Sequence, residues 1–136
     1  MKEIPLIADN TRQQVLSLEE ETRFVPNGIA SRTVLRTGDA RVVLFGFDAG
    51  QELTEHTSTR HALVQILSGE CDFSLAGEAK QLKTGDVVYM PPHLPHALKA
   101  TSRFAMLLTL FKPAVSPDKL NSIRTFFEAT PASVAA

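Results

Sequence analysis

The four histidines of this 136-residue chain fall in two short stretches, His56 with His61 and His93 with His96. Each stretch lies where a turn leads into a predicted strand, and side chains at such junctions crowd the end of a sheet or barrel. The neutral imidazole nitrogen is the commonest protein ligand for divalent transition metals near pH 7. Three or four such side chains on neighbouring antiparallel strands would enclose one ion, so the pattern makes these residues candidate ligands.

The segment from residue 31 to residue 111 must position these histidines. Apolar, β-branched and aromatic runs alternate there with turn signals at short intervals, and no long helical periodicity interrupts them. Strands are predicted at 33–35, 42–47, 63–67, 72–76, 80–83, 87–90, 96–99 and 104–111. Many short strands separated by turns are typical of a β-sandwich or β-barrel.

Residues 116–129 change to a helical period. Ser116 is a suitable N-cap, and the apolar residues that follow it recur at helical spacing, namely Leu120, Ile123 and Phe127. We therefore expect a short amphipathic C-terminal helix that lies on the barrel. Residues 1–136 are predicted to form a single domain, since their number is close to the common domain size.

Composition and charge exclude several classes of partner. The chain has 14 basic and 15 acidic residues, so it lacks the basic surface that binds a nucleic acid backbone. Its first residues carry a charge and a proline where a signal peptide is apolar, and its longest apolar run, 104–111, is too short to span a bilayer. A lone Cys71 suits a reducing compartment. We expect a cytoplasmic protein that binds neither nucleic acid nor membrane.

The residues around the histidines resemble the two motifs of the cupin superfamily, Gly-x5-His-x-His-x3-4-Glu-x6-Gly and Gly-x5-Pro-x-Gly-x2-His-x3-Asn. The residues in register with these motifs are Gly50, His56, Gly69, Gly85, Pro91 and His96. The resemblance covers roughly residues 40–111 and is strongest to small, single-domain, RmlC-like cupins. It implies an all-β fold, the double-stranded β-helix of the cupin or jelly-roll barrel.

The motifs also assign the metal ligands of the family. His56 and His96 match ligand positions, whereas Ser58 stands at the second histidine and Ala62 at the glutamate. The resemblance therefore implies a divalent transition metal such as Fe, Mn, Ni or Zn at His56 and His96, with two usual ligands missing. His61, one residue before the glutamate position, is the first candidate for a third ligand.

The sequence leaves the orientation of the other two histidines open. A one-residue slip of the loop at 57–60 would bring His61 inward, whereas a strand that has already begun at His61 turns it outward by alternation. His93 occupies the turn-glycine position of the second motif and is interpreted as a turn residue near the barrel mouth. The alternative for the His56–His96 pair is a hydrogen-bonded polar lining of a ligand cavity.

The predicted interior is apolar, and Ser58, Val64 and Met106 are assigned to a substrate pocket beside the histidines. Apolar pockets with a few fixed polar groups are typical of small-molecule sites. One hypothesis is a metal-dependent enzyme, oxygenase-like or isomerase-like. The alternative is a non-catalytic small-molecule-binding or sensor protein that has lost its metal site.

A homodimer is expected on two grounds. Small cupins commonly pair through one sheet of the barrel, which is an implication of the resemblance. The strand at 63–67 also places Leu63 and Leu67 on the face opposite the cavity, and apolar residues on an outer face need to be covered.

Overall fold

The computed structural model describes residues 6–113, so the helix predicted at 116–129 lies outside the described residues. One short helix, α1 (Leu18–Glu21), precedes nine strands within this range. The strands are β1 (Ile29–Arg36), β2 (Ala40–Phe47), β3 (Glu52–His56), β4 (His61–Ser68), β5 (Glu70–Leu75), β6 (Glu78–Lys83), β7 (Val87–Met90), β8 (His96–Ala100) and β9 (Phe104–Phe111). Across the described part of the chain, no helix has the length and apolar character needed to cross a bilayer.

The strands form two antiparallel sheets. One has five strands in the order β1-β2-β9-β4-β7, and the other has four in the order β3-β8-β5-β6. The chain passes from one sheet to the other at the β2–β3, β3–β4, β4–β5, β6–β7, β7–β8 and β8–β9 connections, so the two sheets wind around a common core. This topology confirms the all-β double-stranded β-helix, or jelly-roll barrel, that was predicted from the sequence.

Strand alternation builds the core. In β4, Ala62, Val64 and Ile66 are buried while their neighbours are partly or fully exposed, which is the period of two expected for a strand with one buried face. The rings of Phe47 and Phe104 stack at 4.6 Å between centroids, at the end of the barrel where β2 finishes and β9 begins. Inward-facing side chains from both sheets are buried in this core or packed against it: Val64, Ile66, Phe73, Leu75, Leu98, Met106 and Leu108.

The opposite end of the barrel is called the mouth here. It is the end where β3, β7 and β9 finish and where β2, β4 and β8 begin. The loops at 57–60 and 91–95 join the two sheets at this end, and a hydrogen bond of 2.7 Å from the His93 backbone N–H to the Ser58 carbonyl ties them together. All four histidines therefore lie at or beside the mouth.

The segment that precedes β1 covers part of the outer face of the five-stranded sheet. The backbone of Arg23 passes so close to Gly46 that an added Cβ would lie 2.0 Å from the Arg23 carbonyl oxygen. An ion pair of 2.8 Å between Arg32 and Glu21 holds the end of α1 against β1. This cover is limited, because Val87 and Tyr89 on β7 remain 55% and 51% exposed.

Gly69, in the turn from β4 to β5, is required by two independent constraints. Its φ angle is +75°, a region that L-residues rarely adopt, and an added Cβ would lie 2.2 Å from the backbone oxygen of Arg103. Gly77 has a similar φ angle of +84° but has open space around it. Alanine substitutions at the two glycines therefore distinguish the cost of the left-handed backbone conformation from the cost of the close contact with Arg103.

We predict that Gly69→Ala destabilises the protein more than Gly77→Ala. The second change should cost about 1–2 kcal/mol, since only the left-handed conformation opposes it. The first must also displace the β8–β9 connection. Urea unfolding of both variants measures the difference, and equal losses of unfolding free energy would contradict the close approach at Gly69.

The homodimer expected from the sequence remains a prediction, and the exposed apolar side chains of β7 offer a surface for it. Val87→Lys should shift the protein toward monomers, because a charge would be buried against the second copy. Thr101→Lys, at an exposed site outside this face, is the control. Light scattering measures the mass, and a single-chain mass for the unmodified protein at micromolar concentration would contradict the prediction.

Candidate functional site

Strands β3 and β8 bring His56 and His96 together. The two residues are direct partners in the antiparallel register of the four-stranded sheet, so their side chains share one face. Their ring centroids are 4.2 Å apart, with the ring planes inclined at 59°. His96 is buried and its ring is nearly parallel to that of Phe73, whereas His56 is exposed. The pair thus extends from the barrel interior to solvent.

A backbone carbonyl orients each of these two imidazoles. His56 Nδ1 lies 2.7 Å from the Thr54 carbonyl oxygen, and His96 Nδ1 lies 2.8 Å from that of Leu94. A carbonyl only accepts, so each Nδ1 is the donor. The Nε2 atom of each neutral ring then keeps its lone pair, which is the tautomer found in imidazoles that bind metals through Nε2 or accept a proton.

Burial lowers the pKa of His96 below its ordinary value of 6.5, and the nearby His56 lowers it further. The hydrogen bond to the Leu94 carbonyl acts in the opposite direction, since it favours the protonated ring. The neutral form of His96 therefore dominates at neutral pH. This form is able to accept a hydrogen bond or a metal ion at Nε2.

His61 does not join this pair. It is the first residue of β4, and alternation turns its side chain to the outer face of the five-stranded sheet. There its ring stacks on Phe111 at 5.0 Å, and its Nδ1 lies 2.7 Å from the hydroxyl oxygen of Tyr89. The structure shows the outward alternative for His61, so His61 is not placed to serve as a third ligand to the His56–His96 pair.

The other candidate residues lie apart from the pair. Ser58 is committed to its own loop, because its hydroxyl accepts the N–H of Arg60 and its carbonyl accepts that of His93. Val64 and Met106 are 1% and 2% exposed, so they form the packed core instead of an open pocket wall. His93 is an exposed turn residue with a φ angle of +69°, in keeping with its interpretation from the sequence.

Among residues 6–113, the histidine pair has no third metal ligand beside it. Within residues 6–113, no group of three or more His, Cys, Asp or Glu side chains is arranged to hold a metal ion. Ala62, at the glutamate position of the motif, is 3% exposed and pairs with Met90, so the position faces inward but offers no donor. The described part of the site therefore offers two imidazoles as candidate ligands.

Cys71 is excluded as a nucleophile at neutral pH. Its side chain is fully buried, and this burial, reinforced by the charges of Asp72 and Asp86, raises the pKa of the thiol to about 11. The reactive form of cysteine is the thiolate. Cys71 is accordingly a core residue.

Sequence reasoning missed a second polar region at the mouth. A cavity of about 420 Å³ lies there, and its polar lining includes Arg36, Arg41, Ser58 and Arg60. A sequence feature of β2 could have revealed this region. Arg41 alternates with Val43 and Phe45 along the strand, so the three side chains lie on the same, inward face. An arginine at the start of an inward-facing row indicates a polar group at the barrel end.

We predict that His96 makes stability depend on pH in the metal-free protein. Its folded pKa lies below its unfolded value, so between these two values the unfolded chain binds a proton that the folded chain does not. The free energy of unfolding should fall as the pH drops below about 6.5 and recover above it. His96→Gln should reduce this loss, and His93→Gln should leave it unchanged.

Urea unfolding in the presence of a chelator, at about pH 7.5 and about pH 5.5, measures this effect on either side of the ordinary histidine pKa. An equal loss of stability in the unmodified protein and in His96→Gln would contradict the assignment to His96.

Comparisons with known proteins agree with this architecture. A match to the family described as "Cupin domain" covers residues 43–111. An uncharacterized protein of Aquifex aeolicus is 36% identical over 70 residues, and the aligned region spans 51% of this chain and 56% of that protein.

Solved structures are similar over a larger part of the chain. A conserved protein of unknown function from Streptococcus pyogenes is 32% identical, covers 84% of this chain and 100% of its own, and gives a TM-score of 0.71. A cupin superfamily protein from Desulfitobacterium hafniense is 24% identical, with a TM-score of 0.70 over 75% of this chain and 94% of its own. With two glycine-anchored motifs, a double-stranded β-helix and these matches, the chain belongs to the cupin family.

Proposed function

We propose that this protein binds a small organic molecule at the barrel mouth, with the His56–His96 pair as its fixed polar anchor. The observation that carries the proposal is the orientation of the two rings. Each Nδ1 is occupied by a backbone carbonyl, so each Nε2 is left for a ligand. Two pre-oriented polar groups beside an apolar core are the usual composition of a small-molecule site.

The depth of His96 supports the same function. With 7% of its surface exposed, its ring is screened from bulk water by the surrounding core. A hydrogen bond to a buried imidazole discriminates between ligands, because an unsatisfied buried acceptor costs about 1–3 kcal/mol. A ligand with a hydroxyl or amide N–H placed at this depth would therefore be favoured over an apolar one.

A divalent transition metal is the second part of the proposal. Ring centroids 4.2 Å apart bring the two imidazoles close enough for both Nε2 atoms to approach one ion. Catalytic sites usually supply three protein ligands, and only two are found in the described residues. The pair therefore fits Fe, Mn, Ni or Zn only if water or the bound molecule completes the coordination.

Metal-dependent catalysis of the oxygenase or isomerase kind is the second candidate function. The observation that favours it is again the tautomer, because ligating histidines commonly donate their other ring N–H to a carbonyl or carboxylate. A metal bound here would supply Lewis acidity toward a carbonyl or enol oxygen of the ligand. His96 and His56 would hold it, and the neutral state of His96 at neutral pH keeps its Nε2 available.

The two candidates differ in their dependence on metal. A binding protein retains its ligand after treatment with a chelator, whereas the enzyme loses turnover and regains it with one particular ion. Protein purified without a histidine tag and analysed for bound metal, before and after incubation with Fe(II), Mn(II), Ni(II) and Zn(II), separates them. Absence of uptake for all four ions would leave the non-catalytic binding function.

We predict that His56→Ala and His96→Ala each lower metal affinity by at least about tenfold, since even residues that only orient a ligand contribute that much. His56→Ala should cost little stability because its side chain is exposed, whereas His96→Ala removes a buried ring and should cost more. His93→Ala is the matched control, an exposed histidine at the same end of the barrel. Isothermal titration with Zn(II) and Ni(II) measures the affinity, and metal content that survives both substitutions would contradict the assignment.

A further inference from the structure

The outer face of the five-stranded sheet carries a strip of apolar side chains along its middle. These outward-facing residues of β4 and β9 alternate with the core residues of the same strands, and we call them the outer strip: Leu63, Leu67, Leu107 and Phe111. The three leucines are half-buried, and Phe111 is 36% exposed. The N-terminal segment lies on one side of the strip, over β2, and β7 lies on the other. Residues 6–113 therefore leave apolar surface accessible between these two borders.

Aromatic rings mark the mouth end of the outer strip. Phe111 is the direct partner of His61 in the β4–β9 register, and their rings stack at 5.0 Å. The ring of Tyr89 on β7 lies 5.9 Å from that of His61, and Tyr89 is 51% exposed. Three rings on three adjacent strands form a broad surface that an apolar side chain can cover.

A cavity of about 550 Å³ lies at the opposite end of the outer strip. Leu18 of α1 and Phe24 line it from the N-terminal segment, and Leu67 and Ala105 line it from the sheet. The rest of its lining is polar, namely Glu19, Thr22 and Ser68. A cavity of about 150 Å³ already admits a benzene ring. This one is therefore large enough for an aromatic side chain.

The described part of the chain ends at the mouth end of the outer strip. The Lys112 backbone N–H donates to the Asp39 carbonyl at 3.0 Å, so the chain follows the sheet as far as this residue. Pro113 comes next and has no N–H to continue the pairing. The sequence continues through residues 114–136, which lie outside the described residues. Apolar side chains in this continuation would be buried if the chain turned back over the strip.

The length of the segment at 116–129 matches the outer strip. The sequence predicts a helix there, with Leu120, Ile123 and Phe127 on one face. Fourteen helical residues extend about 21 Å, and the eight residues of β9 extend about 24 Å. Along such a helix, Leu120 lies about 6 Å from the start and Phe127 about 16 Å. These positions correspond to the aromatic end of the strip and to the region of the cavity.

We propose that residues 116–129 dock on the outer strip of their own chain, as an amphipathic helix that runs from the mouth toward the cavity. Leu120 and Ile123 cover Phe111 and Leu63, and Phe127 enters the cavity beside Leu67. The connection favours the chain's own segment over that of a second copy, because a short linker gives an effective concentration in the millimolar range. The exposed edge strand β7 lies beyond the strip, and the proposal is independent of the His56–His96 pair.

Nuclear Overhauser contacts in the whole chain test this placement. The ring protons of Phe127 should show contacts to the methyl groups of Leu67. A mixture of ¹³C-labelled and unlabelled chains separates contacts within one chain from contacts between two copies. The proposal is overturned if the contact is absent, or if it is found only between copies, which would assign the strip to a second copy.

Phe127→Asp should detach the segment, because a carboxylate is costly to bury in an apolar cavity. The Leu67 methyl resonances should then move, and the midpoint of urea unfolding should fall. Thr125→Asp is the matched control, since it adds the same charge about 200° around the predicted helix from Phe127 and should change neither quantity.

Equal changes in the two variants, or no change in Phe127→Asp, would also overturn the proposal. The contacts measured in the unmodified protein decide it even where Phe127→Asp does not fold.

Discussion

The register of β9 between β2 and β4 is the constraint on which the mouth depends. β9 pairs with both neighbours over almost its whole length, so one strand fixes which residues of three strands face inward. Side chains alternate with a period of two, and a slip by one residue would exchange the two faces. The register that buries Met106 also directs Arg41 into the mouth and His61 to the outer face.

The mouth combines two kinds of polar group from opposite sheets. The four-stranded sheet contributes two imidazoles, of which the buried one has a lowered pKa and is neutral at neutral pH. The five-stranded sheet contributes the permanent charge of Arg41. One backbone hydrogen bond, from His93 to Ser58, couples the loops that border both groups.

The loss of two family ligands is best understood through the fold. Ala62 lies on the inner face at the mouth, so the barrel still provides the position and only the side chain is missing. His61, its neighbour, cannot replace it without a shift of β4 that would expose Val64 and Ile66. Burial of these residues contributes about 1.5–3 kcal/mol each, which opposes such a shift. The same core that stabilises the barrel thus limits the site to two imidazoles.

Glycine-anchored turns, alternating strands and the paired motif histidines are local features, and the sequence by itself determined the barrel, most of its strands and the candidate pair at its mouth. It did not predict β3, because this strand has one partly buried apolar residue, Leu53, and otherwise exposed side chains, so no hydrophobic period marks it. The orientation of His61 and the burial of the Arg41 Nε, which has no hydrogen-bond partner among the described residues, were decided only by tertiary structure. Both depend on pairing with β9, which is distant in sequence. Alternation within one strand defines two faces, but only the partner strands determine which face is buried.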